Sequence, residues 1–429
     1  MNKILAIFLV FVCFMCAVIS NVFAGEIDVL LEKLVEKGVV SGAEAQQIKI
    51  ETQEKVKKEI ATGKSASLPA WVQNIKLKGD LRLRYQYKHD KSYSVNDPRK
   101  DTNIGRVRMR LGLEAKINEK LMAGIGIATG DGDARSTNIS FGSQNQKKEI
   151  RLDYAYAKYS FLPWATLVGG KTLVNDMFWE PTDLIWDTDI TPEGGALVFK
   201  KDLSPETSLF MNTGMIIMDT ESTTNGHPMM EYHVQPGITQ KINDTISLKG
   251  ALAFYAFYNV KDKTSSTSYP QKSRQTNTLV SSKWKYEYRM LTPALELSIK
   301  EPFKAVGLNV ENLKLFGEYV DNIEVKNKNN GFSLVCQFGN EKVEKWGDWQ
   351  FRYIYAMLEK DSVLDILPDS DRYSGKTGIR SHEGSFNFGL GKNTFLGLDI
   401  YRSWNIMYPA TTTTRAPETL VQVDWNMKF

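Results

Sequence analysis

In residues 75–88 polar and apolar side chains alternate at every position. Ile75, Leu77, Gly79, Leu81, Leu83, Tyr85 and Tyr87 take the odd places, and Lys76, Lys78, Asp80, Arg82, Arg84, Gln86 and Lys88 the even ones. A period of two sends these sets to opposite faces of an extended strand. The run is much longer than the usual strand of about 5–6 residues. The pattern returns in 106–117, with Val107, Met109, Leu111, Leu113, Ala115 and Ile117 on one face, and in 419–429, with Val421, Val423, Trp425, Met427 and Phe429 on one face. A soluble sandwich would hide such an apolar face and wet the polar one. A membrane barrel would turn the apolar face to lipid and line its interior with the polar one. Strand length favours the barrel, because a tilted strand needs about 9–11 residues to cross the hydrocarbon.

Loop parity points the same way. About sixteen strands are expected, over 74–88, 102–117, 119–130, 148–161, 164–172, 193–201, 205–218, 229–241, 246–260, 282–300, 310–325, 331–340, 346–360, 379–391, 394–406 and 418–429. Their connections alternate between short turns and long loops, the long ones including 89–101, 131–147, 173–192, 261–281, 361–378 and 407–417. An even strand count with turns at one end and loops at the other is barrel topology. Connections 301–309 and 341–345 are long for turns, and the fourth strand slips phase after Ala157. Tyr85, Tyr87, Tyr154, Tyr156, Trp164, Tyr255, Tyr258, Trp425 and Phe429 near strand ends suit an interfacial girdle. The fold class is therefore all-β: a transmembrane antiparallel β-barrel preceded by a short helical segment.

Other classes are excluded by composition. A mean hydropathy of −0.33 leaves no room for a polytopic helical membrane protein. The 18 Tyr, 20 Phe and 9 Trp are too much apolar material for a disordered chain. A net charge of +4 is too small to signal nucleic-acid binding. Lys3, the apolar run 4–19 and Val22-Phe23-Ala24 form a secretory signal peptide, 1–24, with cleavage expected after Ala24. Its loss removes two of the three cysteines and leaves Cys336 alone, so the exported chain has no internal disulfide. Segment 25–70 carries helical spacing in Ile27, Leu30, Leu31, Leu34 and Val35. Ser41 and Glu44 there have capping-box spacing, and a Gly/Ser/Pro linker runs over 63–69. The helical part of this periplasmic segment, 26–62, is either a coiled coil or cell-wall contact, or a loosely ordered spacer. Residues 71–429 form the barrel domain.

These residues resemble the putative porins of Gram-negative outer membranes. The resemblance starts in Leu-Glu-Lys-Leu-Val-Glu-Lys-Gly at 31–38 and Glu44-Ala45. It continues through the tryptophan at 71 and the Leu-Arg-Leu-Arg strand at 81–84, Gly169-Gly170-Lys171, and the stretch 178–194 that opens Phe-Trp-Glu-Pro and closes Pro-Glu-Gly. It covers essentially the whole mature chain. It implies a water-filled channel for passive diffusion of small hydrophilic solutes and ions, embedded in outer-membrane lipid. Phe429 resembles the terminal aromatic by which such barrels engage their assembly machinery, and sixteen-strand porins are commonly homotrimers. An outer-membrane barrel enzyme and an adhesin or cell-wall tether are the alternatives.

A porin needs a constriction that sets size and charge selectivity. Arg82, Arg84, Arg106, Arg108, Arg110 and Arg151 fall on the polar faces of the first, second and fourth strands, with Asp80, Glu114 and Asp153 among them. Loop 173–192 is the natural element to fold inward, and carries Asp176, Glu180, Asp183, Asp187 and Asp189, with Glu193 beyond. Trp179, Leu184, Ile185 and Trp186 would pack it on the wall. Either this acidic loop opposes the arginines across the pore, or the arginines pair locally with Asp80, Asp153 and Glu114. No catalytic residue, cofactor or metal is expected. Asp187-Thr-Asp-Ile-Thr191 has only the spelling of a phosphatase loop. Gly130-Asp-Gly-Asp133 lacks the glutamate that closes a calcium loop. His89, His227, His233 and His382 lack metal-pair spacing, and His233 is expected to line the lumen.

Overall fold

The computed structural model describes residues 33–37, 40–48, 50, 51, 54, 74–90, 101–220, 227–268, 271–407 and 417–429. The expected signal peptide, the linker 63–69 and parts of loops 89–101 and 407–417 lie outside the described residues. The chain divides into two compact units, 1–73 and 74–429. In the first, residues 33–36 and 42–48 are helical. The second of these helices opens with a capping box. The Ser41 amide donates to the Glu44 carboxylate at 2.9 Å, and the Glu44 amide donates to Ser41 Oγ at 3.3 Å.

The second unit is a closed barrel of sixteen antiparallel strands. They are β1 (Ile75–Asp90), β2 (Thr102–Lys116), β3 (Leu121–Thr129), β4 (Ile150–Leu162), β5 (Ala165–Lys171), β6 (Glu193–Asp202), β7 (Thr207–Asp219) and β8 (Met229–Lys241). There follow β9 (Ile246–Tyr258), β10 (Tyr288–Lys300), β11 (Asn312–Asn322), β12 (Asn330–Gly339), β13 (Trp349–Leu358), β14 (Ile379–Gly391), β15 (Thr394–Asn405) and β16 (Glu418–Lys428). Each strand pairs with the next, and β16 pairs with β1 from Asp80 opposite Lys428 to Asp90 opposite Glu418. Sixteen strands about 4.8 Å apart, tilted about 40°, enclose a backbone circle about 30 Å across.

Which face is wet is settled by exposure. Leu77, Leu113, Ile125, Leu295, Leu315, Leu334, Ile400 and Val423 are all exposed on the outer wall, and Leu334 keeps 59% of its surface. A water-soluble protein does not display a continuous apolar belt of this kind, whereas hydrocarbon covers it at no cost. The register alternates accordingly: Arg84 and Asp424 meet inside while their neighbours Leu83 and Trp425 meet outside.

Several expectations are corrected. The tenth strand starts at Tyr288 rather than 282, because Leu279–Val280 and Lys283–Trp284 form a separate small hairpin in the preceding loop. β4 shifts register after Ala157, between Ser160 and Leu162, and also earlier: opposite the step Gly126 to Ile127, the pairing jumps from Tyr154 to Leu152. That bulge turns Tyr154 and Tyr156 into the lumen instead of an outer girdle. They fit there because β2 and β3 present glycine beneath them. A Cβ on Gly112 would lie 1.8 Å from the Tyr154 hydroxyl, and one on Gly124 would lie 2.5 Å from the Tyr156 ring. Tyr255 also points inward, fully buried.

The buried core lies inside the barrel, toward the end that carries the long loops. Phe178, Trp186, Val260, Trp284, Val363, Leu364 and Leu367 from three loops pack on inward residues of β7–β14, among them Ile216, Tyr255, Phe257, Met290, Val320 and Leu358.

Candidate functional site

The pairing of β1 with β2 sets Arg82 opposite Arg108, Arg84 opposite Arg106, and Asp80 opposite Arg110 on the inner face. Like charges directly across a ladder repel, so this wall stands only with counter-charges between its members. Asp80 takes both Arg108 at 2.8 Å and Arg110 at 2.7 Å. Asp424 of β16 grips Arg84 through two 2.7 Å bonds and lies 3.6 Å from Arg82. Arg82 also donates to Asn138 at 2.7 Å, and Arg106 donates to Gln86 at 3.3 Å. Of the expected local partners, only Asp80 serves the arginines. Glu114 pairs with Lys78 at 2.6 Å, and Asp153 holds Thr191 through its backbone carbonyl at 2.8 Å. Arg151 stands apart, half exposed beside Glu149 at 2.5 Å.

Loop 172–192 folds into the lumen on an aromatic foot. The Phe178 ring lies 5.6 Å from Trp186, 4.9 Å from His233 and 5.3 Å from Tyr255, and Trp186 stacks on Phe257 at 6.2 Å. His233 faces inward but is covered by this foot rather than lining open water, with Nδ1 at 3.0 Å from Glu231. Gln235 clamps the loop backbone, accepting from the Trp179 amide at 2.7 Å and donating to its carbonyl at 2.8 Å.

The loop's acids then separate. Asp189 reaches the arginine wall, 3.4 Å from Arg110. Asp176 pairs with Lys158 at 2.5 Å and Glu193 with Lys171 at 3.0 Å. Glu180 lies 3.5 Å from the Tyr255 hydroxyl, and burial together with the neighbouring Glu318 pushes its carboxyl well above the usual range. Asp187 accepts from the amides of Asp189 at 2.9 Å and Ser370 at 2.8 Å. Burial and then Asp189 push it well above the usual range. Burial also raises Asp183, but Arg372 at 2.8 Å outweighs it and holds that carboxyl low. The structure thus brings Asp189 to the arginines and spends the other acids on anchoring.

A second inward loop, 359–378, was not foreseen. Its Asp371 lies 3.1 Å from Arg84 and is held low, because Arg84 and Gln422 outweigh burial. Arg372 is buried among Asp183, Asp369 and Glu383, the last at 3.3 Å. Asp365 accepts from Ser273 Oγ at 2.9 Å and the Thr276 amide at 2.7 Å, joining this loop to 259–287. Arg135, only 1% exposed, ties three loops together. From loop 130–149 it donates to the carbonyls of Asp365 at 3.0 Å, Gly375 at 3.4 Å and Lys272 at 2.9 Å. The signal for 359–378 was there: Val363, Leu364, Ile366 and Leu367 spaced by acids, the same mixture that marked 173–192.

Among the described residues, cavities lie beside these loops. One, of about 780 Å³, is bounded by Thr129, Arg151, Asp153, Asp189 and Glu193. Another, of about 210 Å³, lies between Gln86, Lys88, Arg106, Arg274, Asp371 and Glu418.

An apolar outer wall, a charged interior and inward-folded loops define a channel of the outer-membrane barrel type. The profile of the putative porin family matches residues 38–97, 88–288 and 294–429, and the chain belongs to that family. It is an outer-membrane porin, a channel for passive diffusion of small hydrophilic solutes and ions, in contact with membrane lipid. Similar solved structures include two engineered variants of the Rhodopseudomonas blastica porin. One, a triple mutant, has 10% identity and the other 11%; each has a TM-score of 0.43 and covers 83% of this chain and 100% of its own. No curated protein matches the sequence.

Proposed function

We propose that solutes cross this porin along the β1–β4 wall, where the loops leave the interior open, and that charge placement there sets selectivity. The observation that carries this is the reach of loop carboxylates to the arginine wall: Asp189 to Arg110 and Asp371 to Arg84. Arg82, Arg84, Arg106, Arg108 and Arg110 are the basic side of the passage. Asp189 and Asp371, not the whole acidic set of loop 172–192, are the side facing them. Fixed charges of both signs within a few ångströms make a steep local field that orients polar solutes and gives apolar ones nothing. Lys171 and Arg151 carry the basic side up to the larger cavity.

Arg108→Glu tests the reading. A glutamate beside Asp80 replaces a cation by a third acid near Asp189, so the cation-to-anion permeability ratio in planar bilayers rises. An unchanged ratio and conductance refutes it.

The long loops face the cell exterior and the short turns the periplasm, which is the parity of such barrels. Segment 25–70, after removal of residues 1–24, stands in the periplasm, and its residues 26–62 contact the cell wall. Phe429 engages the assembly machinery, the barrels associate as homotrimers, and the chain performs no catalysis.

A further inference from the structure

Charge is rare on the outer wall. The outward positions of β14–β16 are apolar through Phe386, Leu396, Leu398, Ile400 and Val423. Toward the long-loop end the character changes. There the register sets Arg380 opposite Trp404 and His382 opposite Arg402. Both guanidiniums lie over the same indole, 5.4 Å and 5.8 Å from its centroid, so the two charges are no more than about 11 Å apart. His382 lies 5.7 Å from that ring and 4.9 Å from Tyr355, and its Nδ1 is 2.5 Å from the Tyr353 hydroxyl. Arg402 donates to Thr419 Oγ1.

Among the described residues neither arginine has a carboxylate oxygen within 4.0 Å. The contrast with other arginines is sharp. Outward-facing Arg289 is matched by Glu324 at 2.5 Å, and inward Arg84, Arg108 and Arg110 all have acids. Two uncompensated guanidiniums at the upper edge of an apolar belt lie where a bilayer presents its headgroups, because hydrocarbon below would reject them. Contact with Trp404 positions both guanidiniums, and apart from the one Arg402 donor held by Thr419 their N–H groups are open to phosphate oxygens.

We propose that Arg380 and Arg402 bind the phosphate of an anionic lipid headgroup in the leaflet at the long-loop end. Trp404 and Tyr353 flank the headgroup, and the acyl chains descend along Phe386, Leu398 and Ile400. The site lies outside the barrel and is independent of what passes through it.

The test is a titration of the folded full-length porin in mild detergent, read by native mass spectrometry, with lipid A, its dephosphorylated form, a zwitterionic phospholipid, and inorganic phosphate as competitor. Wild type binds lipid A in preference to the other two lipids. R380Q/R402Q loses about fivefold for each arginine, hence about twenty-five-fold together. R289Q, whose charge is already matched, keeps wild-type affinity. The dephosphorylated lipid bound to wild type reproduces the loss without any mutation, so the proposal stands or falls even if the double variant folds poorly. It is overturned if dephosphorylation leaves affinity unchanged, if the double variant binds as wild type does, or if inorganic phosphate displaces the lipid at equal concentration.

Discussion

Replacing Arg135 with methionine separates the stability of the plug from that of the barrel. The guanidinium is 1% exposed and supplies three hydrogen bonds to carbonyls of loops 259–287 and 359–378. It also lies 3.6 Å from Asp133, which keeps a second cation, Arg274, at 3.7 Å. Hydrogen bonds from a charged donor are worth about 1.5–3 kcal/mol each. Methionine refills part of the space and removes a charge that was costly to bury. The net loss in loop docking is about 3–5 kcal/mol, or roughly 150- to 5,000-fold in the population with loops released. The strand ladder closes without these loops, so the unfolding midpoint of the barrel barely moves. Limited proteolysis of the reconstituted porin reads the released fraction directly when opening is fast relative to cleavage. Cleavage within 259–287 and 359–378 accelerates by at least a hundredfold, and open-channel current becomes larger and noisier. An unchanged cleavage rate, or a barrel midpoint that falls with it, refutes the reasoning.

Two further outcomes follow from the same geometry. Leu83→Arg puts a cation on the lipid face between Val107 and Trp425, and lowers unfolding free energy in lipid by about 2–4 kcal/mol; a midpoint equal to wild type would mean the facing is inverted. Burial, then Asp183, raises the Asp369 carboxyl, and burial, then Asp189, raises Asp187. Both bind protons more tightly docked than released, so their contribution is full below the usual carboxylate pKa and is lost as pH rises through the raised values. Asp183 and Asp371, held low, contribute fully above the usual carboxylate pKa of about 4 and lose that contribution only on further acidification, so they add no slope between pH 5 and 8. Loops 172–192 and 359–378 are therefore better protected from protease at pH 5 than at pH 8, and D187N/D369N makes the difference smaller, with Glu180, also raised by burial, supplying the remainder; an equally steep profile in the variant refutes the assignment.

The barrel was legible in the sequence because its strands are set by a single local rule, the two-residue period, and because turn and loop lengths alternate. That is why 229–241 and 379–391 match to the residue. Where the rule is interrupted by tertiary packing, the reading went astray. Tyr154 and Tyr156 look like girdle residues until Gly112 and Gly124 on neighbouring strands are seen to make room inside. The inner arginines were identifiable from parity alone, but their partners were not. Asp424 is 340 positions from Arg84 and becomes adjacent only through closure of the ring. Loop 173–192 announced itself by aromatic residues among acids, yet the same composition makes an anchor at Asp183 and a wall contact at Asp189. Only the position of Arg372 and Arg110 distinguishes them.

The Gly79 amide donates to the Phe429 carbonyl at 2.8 Å, and the Phe429 amide donates to the Gly79 carbonyl at 3.0 Å. The seam of the cylinder thus joins its first strand to its last. Until β16 has been made, β1 has no mate on one side and neither does whichever strand was made last. An unmated strand cannot enter hydrocarbon, where no water replaces the missing bonds. Insertion is therefore all-or-nothing and waits for β16, so a polypeptide lacking that strand has no lipid-compatible form to adopt.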